Sequence, residues 1–367
     1  MSSVETTDGA PERPKKKRTG WKRYAFGGLG AAIVIVTFAF ALPKIANYRE
    51  VWGVVQTLTW EWWVVLIGAT VLNLVTFAPP WMVTLPGLRF RQAFSMTQAS
   101  TALSIIAPGG AAVGMAGSWG MLRAWGFRTP DVTRAITLTG VWNQLANLVF
   151  PVVALFLLKI DGGETALLGT AAFIGVAVLG VVIAILVLIL YSDELARDVG
   201  DVVARFVSWA KAKIRRKPVE WGGASFASFR NEAVDLLARR WHVLTLATFA
   251  GSLTVFLLLV LSLRAVGVPA SEVDVIEIFA AWSLVRIIGA IPITPGGFGI
   301  VELGLTTALV AFGGNNAGVV AAVLIYRFLT VVPTLVLGGL SALTWRSNTG
   351  APEAREGDAG HTVNEAA

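Results

Sequence analysis

The stretch "IPITPGGFGIVELG" (Ile291–Gly304) interrupts an otherwise apolar part of the chain. It contains two prolines, closely spaced glycines and one carboxylate, Glu302. Proline ends an incoming helix because it lacks an N–H and clashes with the preceding turn, and glycine permits the tight turn that follows. The stretch therefore predicts a helix that is broken inside apolar surroundings.

The composition indicates that these surroundings are a membrane. Of the 367 residues, 55% are hydrophobic and 14% are charged, whereas soluble domains carry about 25% charged residues. The chain has no cysteine and two histidines, which excludes disulfides and thiolate catalysis and disfavours a metal centre. We therefore expect an all-α polytopic membrane protein with no metal, no cofactor and no nucleic-acid partner.

Apolar runs of about 20 residues, long enough to cross a ~30 Å hydrocarbon core, recur along the chain. We predict about six full transmembrane helices, at 25–43, 62–80, 133–158, 165–190, 241–266 and 317–343. Two further apolar regions, 93–124 and 275–312, each divide into two short pieces at a proline–glycine break. Pieces that short favour re-entrant hairpins over full spans.

The distribution of positive charge predicts the orientation. Most of the 30 lysines and arginines fall on the cytoplasmic side if the N-terminus is cytoplasmic, which satisfies the positive-inside rule. We therefore expect both termini in the cytoplasm and a location in the cell (inner) membrane of a bacterium or archaeon. The predicted parts are a basic N-tail at 1–24, a first membrane repeat at 25–160, a second at 161–345 with an amphipathic cytoplasmic insert at 191–240, and a disordered C-tail at 346–367.

The two breaks resemble each other in sequence. "APGGAAVGMAGSWGML" (107–122) and "TPGGFGIVELGLTTAL" (294–309) share the proline, the paired glycines and the spacing of small residues. Each half of the chain then consists of two spans, a broken hairpin and a third span. The predicted topology places the two hairpins on opposite sides, so we predict two inverted repeats. Such repeats are typical of secondary transporters, in which the site lies at the repeat interface.

The breaks supply backbone groups that can bind a ligand. An unsatisfied backbone group in hydrocarbon costs several kcal/mol, so a break survives only inside protein or beside a wet cavity. The N-termini of half-helices are ready sites for anions, including phosphate. A kink filled by neighbouring side chains is the alternative. The backbone positions of the two hairpins that matter here are Pro108, Gly109, Gly110, Pro295, Gly296, Gly297 and Gly299.

The charged residues Glu302, Arg286 and Arg327 fall within predicted membrane segments. A charge at the centre of a membrane helix costs about 2.5–3.5 kcal/mol on insertion scales, so we expect these residues to be paired inside the protein. We predict that Glu302 pairs with Arg327, either in a ligand or proton-coupling role or only to lock the second hairpin to the last span. Asn143 and Gln144 are candidates for lining a polar groove, although interhelical hydrogen bonding explains most such amides.

The segment "PITPGGFGIVELGLTTAL" followed by "AAVLIYRFLTVVPTLVLGGL" resembles the signature of the lysylphosphatidylglycerol synthase transmembrane region family, also called flippase-like domain proteins. The resemblance covers nearly all of residues 25–345. It implies movement of phospholipids or aminoacylated phospholipids between leaflets. It also implies that the signature positions are Pro295, Gly296, Gly297, Gly299, Glu302 and Arg327.

The sequence departs from that family in two respects. Members that synthesise the aminoacylated lipid carry a large soluble transferase domain, and we expect no synthase chemistry in this chain. Many relatives have an acidic residue shortly after the first Pro-Gly-Gly, whereas "PGGAAVGMAGSWG" has none. This absence weakens the prediction of a charged site in both hairpins.

We therefore expect a lipid translocase, not an enzyme, whose partners are anionic or aminoacylated membrane phospholipids. No nucleophile–base pair, metal-ligand spacing or phosphate loop is apparent. Two alternatives are a secondary transporter for a small anion or amphiphile and a non-transporting scaffold for a separate glycosyltransferase or synthase. The candidate substrate-binding residues are Arg327, Glu302, Arg286, Asn143 and Gln144.

Overall fold

The computed structural model describes residues 56–107, 110–160, 166–192, 223–289 and 295–344, together with isolated positions between 49 and 53 and between 194 and 209. Helices dominate the five continuous ranges. In chain order they are α1 (Trp60–Thr76), α2 (Pro79–Thr84), α3 (Phe90–Ile106), α4 (Ala111–Ala124), α5 (Thr129–Ile160), α6 (Ala166–Tyr191), α7 (Gly223–Ala265), α8 (Val275–Gly289), α9 (Ile300–Ala311) and α10 (Asn316–Thr344).

The chain is a multi-pass membrane protein. Within the described residues, five helical segments are long and apolar enough to cross a membrane: Trp60–Thr84, Thr129–Ile160, Phe173–Tyr191, Arg230–Ala265 and Asn316–Thr344. These segments coincide with five of the predicted spans, which are thereby confirmed as apolar helices of spanning length. The remaining predicted span, 25–43, lies outside the described residues.

Each proline–glycine break separates two short helices that pack against each other. The first pair is α3 and α4, and the second is α8 and α9. A Cβ built on Gly114 of α4 would lie 2.6 Å from the Ser100 carbonyl oxygen of α3. A Cβ on Gly304 of α9 would lie 3.0 Å from Val285 Cγ2 of α8. Small residues thus let the two arms of each pair approach closely, as in other membrane helix contacts.

The two ends of each helix pair lie side by side. In the second pair, Asn315 Nδ2 donates to Glu272 Oε2 at 2.9 Å, which joins the residue after α9 to one before α8. In the first pair, Leu88 before α3 shares a buried cluster with Trp125 and Phe127 after α4. Each pair therefore forms a hairpin, with its start and its finish at the same level of the molecule.

Each hairpin packs against a long helix from the other half of the chain. The first hairpin contacts α10 through α3, and the second contacts α5 through α8. At the first of these crossings a Cβ on Gly338 would lie 2.6 Å from the Gln98 carbonyl oxygen, so the two backbones nearly touch. The hairpin tips also meet, since a Cβ on Gly296 would lie 3.0 Å from Ile105 Cγ2.

Helix α7 extends beyond the predicted fifth span. That span was predicted at 241–266, whereas α7 runs unbroken from Gly223 to Ala265 over 43 residues, so the last part of the insert continues directly into the span. No proline or glycine occurs between Gly223 and Gly251, so nothing in the sequence ends the helix there. Arg134 Nη1 of α5 pairs with Glu232 Oε2 at 2.7 Å and holds this extension against α5. Residues 210–222 of the insert lie outside the described ranges.

Candidate functional site

The second break ends in a short 3₁₀ turn, Pro295–Gly297, before α9 begins at Ile300. Gly296 has a φ of 61° and Gly299 a φ of 83°, in the left-handed region that L side chains rarely adopt. Gly296 is further restricted because its Cα faces Ile105 at the tip of the first hairpin. The glycines therefore make possible both the turn and the contact between the two tips.

Glu302 and Arg327 form the predicted ion pair. Arg327 Nε donates to Glu302 Oε1 at 2.6 Å, and the Glu302 side chain is 1% exposed. The second carboxylate oxygen, Oε2, accepts the Gly299 N–H at 2.6 Å, so Glu302 also caps the first turn of α9. The anion-binding N-terminus predicted at this break is thus partly occupied by the chain's own carboxylate.

Arg327 also contacts the turn itself. Its Nη2 donates to the Gly296 carbonyl oxygen at 2.9 Å, and its guanidinium carbon lies 5.0 Å from the centre of the Phe298 ring. These contacts tie the last long helix, α10, to the second break. Arg327 is the twelfth residue of α10, about 16 Å from the start of the helix at 1.5 Å per residue. That distance is about half the thickness of a ~30 Å hydrocarbon core.

Arg286 of α8 has a different environment. Its Nε and Nη2 donate to Asn147 Oδ1 of α5 at 3.1 and 2.7 Å. Its guanidinium carbon lies 4.8 Å from the centre of the Trp282 ring and 5.9 Å from that of Phe150. Asn147 in turn donates to Gln144 Oε1 at 3.0 Å. Among the described residues, Arg286 has no carboxylate partner, so its charge is held by an amide and aromatic faces.

The two arginines open into one cavity of about 290 Å³. Its lining includes Asn147 of α5, Trp282 and Arg286 of α8, and Tyr326 and Arg327 of α10. The remaining lining comes from the arms and the turn of the second hairpin: Val285, Gly289, Gly296, Gly297, Val301 and Leu305. The cavity thus combines two cations, an amide and the backbone of the break at the depth of Arg327, an arrangement suited to binding an anion.

The sequence matches the family described as Lysylphosphatidylglycerol synthase TM region over residues 28–338. The chain belongs to this family. The match covers most of the 367 residues and includes both hairpins and the long helices described above, apart from the last six residues of α10. Among curated proteins no match is found.

The other two candidates for substrate binding do not line the cavity. Asn143 donates to the Thr139 carbonyl oxygen of its own helix at 2.9 Å, and it does not line the cavity. Gln144 is exposed and reaches the cavity only through its hydrogen bond to Asn147. In the first hairpin Gly110 has a φ of 46°, as a break requires, whereas Pro108 and Gly109 lie outside the described residues.

Three polar or aromatic cavity residues were not among the candidates for substrate binding: Asn147, Tyr326 and Trp282. Asn147 follows Gln144 at i+3 and was visible in the sequence as a membrane amide. Tyr326 directly precedes Arg327, and Trp282 lies one helical turn before Arg286. The signal that could have found Asn147 and Trp282 is helical spacing, because residues three or four positions apart share a face.

Proposed function

We propose that this protein is a lipid translocase that carries an anionic headgroup past the cavity between Arg286 and Arg327. The observation that carries the proposal is the pair of guanidinium groups at one cavity, of which only Arg327 is paired with a carboxylate in the part of the chain that the structure describes. A buried charge without a counter-ion is costly in a membrane and usually marks a substrate or ion pathway. A phosphate group would supply the missing negative charge.

The packing of the hairpins supports an inverted-repeat architecture as part of this proposal. Both hairpins start and finish at one level, their tips meet at Ile105 and Gly296, and each packs on the last long helix of the other half. This is the pattern expected if two re-entrant hairpins enter the membrane from opposite faces. The site would then lie near the interface of the repeats, as in secondary transporters with broken helices.

A lipid fits the surroundings of the cavity better than a small solute does. An apolar groove of about 500 Å³ between α4, α5 and α6 is lined by aliphatic side chains and by Gln144. Gln144 accepts the hydrogen bond from Asn147, which lines the polar cavity. A headgroup in the cavity could therefore keep its acyl chains in the groove or in the bilayer beside it.

In this proposal Arg327 and Arg286 bind the headgroup, and Glu302 holds Arg327 in place and balances its charge. The protein acts without chemistry on its substrate, in the inner membrane, with both termini in the cytoplasm. Gln144 supports Asn147 through its hydrogen bond, and Asn143 has no direct contact with the headgroup. A synthase or glycosyltransferase could supply or consume the lipid.

The test is leaflet exchange of fluorescent phospholipids in proteoliposomes. An impermeant quencher removes the fluorescence of labelled lipids in the outer leaflet, so the fraction quenched measures exchange. We expect exchange in wild-type vesicles and its loss in Arg327→Gln, with the Asp131→Asn substitution on the distant surface of α5 as the matched control. Absence of exchange for every phospholipid would refute translocation. Uptake of a water-soluble anion by the same vesicles would then favour the small-anion transporter.

A further inference from the structure

The carboxylate of Glu302 beside the cavity makes all of its contacts within the protein. Both oxygens of Glu302 are engaged, Oε1 by Arg327 and Oε2 by the Gly299 N–H, and the side chain is 1% exposed. Glu302 is absent from the cavity lining. It therefore compensates Arg327 but presents no oxygen to a ligand in the cavity.

The sequence supplies no second acid near the site. Glu302 is the only acidic residue between Glu277 and Glu353, and none occurs between Asp131 and Asp161 in α5. Residues 290–294, which lie outside the described ranges, read "AIPIT" and add no charge. Two guanidinium groups and one carboxylate leave the cavity with one net positive charge, that of Arg286.

The oxygen acceptor nearest to Arg286 is also occupied. Asn147 Oδ1 accepts two hydrogen bonds from Arg286, and the Asn147 amide group donates to Gln144. An ammonium group in the cavity would find no carboxylate and would be repelled by Arg286. A phosphate, in contrast, would meet a guanidinium whose contacts are an amide and two aromatic rings.

We propose that this cavity selects headgroups with net negative charge on a phosphodiester or phosphomonoester, and that it disfavours headgroups carrying an added ammonium group. The inference rests on the proposed function for the site, and it narrows the substrates implied by the family resemblance to the anionic class. A unit charge about 6 Å from Arg286 changes affinity by roughly a hundredfold at an effective dielectric constant of about 20. Water in the cavity reduces this factor, so we expect selection of about tenfold or more.

The first test compares lipids in the wild-type protein, so it does not depend on the folding of any variant. Proteoliposomes of neutral phosphatidylcholine would contain traces of acyl-labelled phosphatidylglycerol, phosphatidylethanolamine or lysylphosphatidylglycerol. We expect exchange of phosphatidylglycerol to be about tenfold or more faster than that of the other two. Exchange of lysylphosphatidylglycerol at an equal or higher rate would overturn the inference while leaving translocation intact.

A binding measurement separates this inference from the proposed function. The full-length protein in phosphatidylcholine nanodiscs would be titrated with short-chain phosphatidylglycerol, short-chain lysylphosphatidylglycerol and free glycerol phosphate. Preference for the anionic lipid would support the charge selection even if no lipid were translocated. Binding of free glycerol phosphate with comparable affinity would identify the phosphate alone as the ligand, and equal binding of both lipids would overturn the inference.

The most direct test by substitution places a carboxylate next to Arg286. Asn147→Asp is nearly isosteric and places an acid 2.7 Å from Arg286 Nη2. We expect it to slow exchange of phosphatidylglycerol and to raise the relative rate of lysylphosphatidylglycerol by about tenfold. Arg286→Lys retains the positive charge and should keep the anionic preference. An unchanged preference in Asn147→Asp, with the variant folded as judged by its circular dichroism, would overturn the inference.

Discussion

Removal of the Glu302 carboxylate should strongly destabilise the protein, because it strands a buried arginine. Glu302 is 1% exposed and Arg327 13% exposed, and their charged atoms lie 2.6 Å apart. Breaking a buried ion pair by removing one partner typically costs 3–5 kcal/mol, about that expected here for Glu302→Ala. The Gly299 N–H loses its acceptor in the same substitution, which adds to the cost.

The measurement is reversible unfolding by sodium dodecyl sulfate in mixed micelles, followed by tryptophan fluorescence and circular dichroism. The double variant Glu302→Ala/Arg327→Ala should lose less than the sum of the single variants, with a coupling free energy of about 2–3 kcal/mol, because it removes the stranded charge as well.

An ion pair with an exposed acid provides the control. Arg134 and Glu232 lie 2.7 Å apart, and Arg134 is 13% exposed, as Arg327 is, but the Glu232 side chain is 43% exposed. Arg134 also retains Asp131 as a partner when Glu232 is removed. We expect Glu232→Ala to cost less than about 1 kcal/mol. If Glu302→Ala cost no more than Glu232→Ala, the reasoning that burial makes the Glu302–Arg327 pair a lock between the second hairpin and α10 would be refuted.

Further predictions concern the packing and topology of the hairpins. Gly338→Ala should cost about 1–3 kcal/mol, because its Cβ would lie 2.6 Å from a backbone oxygen of α3. Gly339→Ala next to it meets nothing within 4 Å and should be neutral or stabilising by up to about 1 kcal/mol in the same unfolding assay, since alanine favours the helix. Gly299→Ala meets no atom either, so its cost of about 1–2 kcal/mol should come from the positive φ alone. The sequence has no cysteine, so single cysteines at Arg128 and Asn315 can report topology without background. An impermeant thiol reagent added outside intact cells should label Asn315→Cys and spare Arg128→Cys, and labelling of both positions would exclude hairpins on opposite sides.

Much of the architecture follows from local properties of the sequence. Apolar length decides which helices can span, and proline with glycine decides where a helix must stop, so the five described spans and both breaks could be predicted. The Glu302–Arg327 pair could be predicted as well. Beyond Glu277 in the first turn of α8, Glu302 is the only carboxylate in the last two membrane segments, and Arg286 and Arg327 are the only cations there. Because these segments contain so few charged residues, Glu302 had only two possible cationic partners.

The composition of the cavity could not be predicted in the same way, because several residues on one helical face satisfied the same pattern. Asn143, Gln144 and Asn147 are all amides of α5 within about one turn. Asn143 bonds its own backbone and Gln144 is exposed, whereas Asn147 reaches Arg286 across the interface with α8. Which amide faces the partner depends on the rotation of α5, and that rotation is set by distant packing. The full length of α7 was not predicted either. A change from an amphipathic to an apolar pattern does not by itself end a helix, so the sequence did not show that the helix starts before the membrane span.

Within the described ranges, Arg327 has a carboxylate partner and Arg286 contacts an amide and aromatic rings. This difference is the strongest argument that the site binds an anion. If the fold required only a polar contact between α5 and α8, a neutral pair of side chains would provide it without the insertion cost of about 2.5–3.5 kcal/mol for a central arginine. If it required an ion pair, an acid at the position of Asn147 would complete one, as Glu302 does for Arg327. The chain does neither, and it leaves the Arg286 charge against an amide and two aromatic rings at the wall of a cavity. Under the proposed function, the counter-ion for this charge arrives with the substrate.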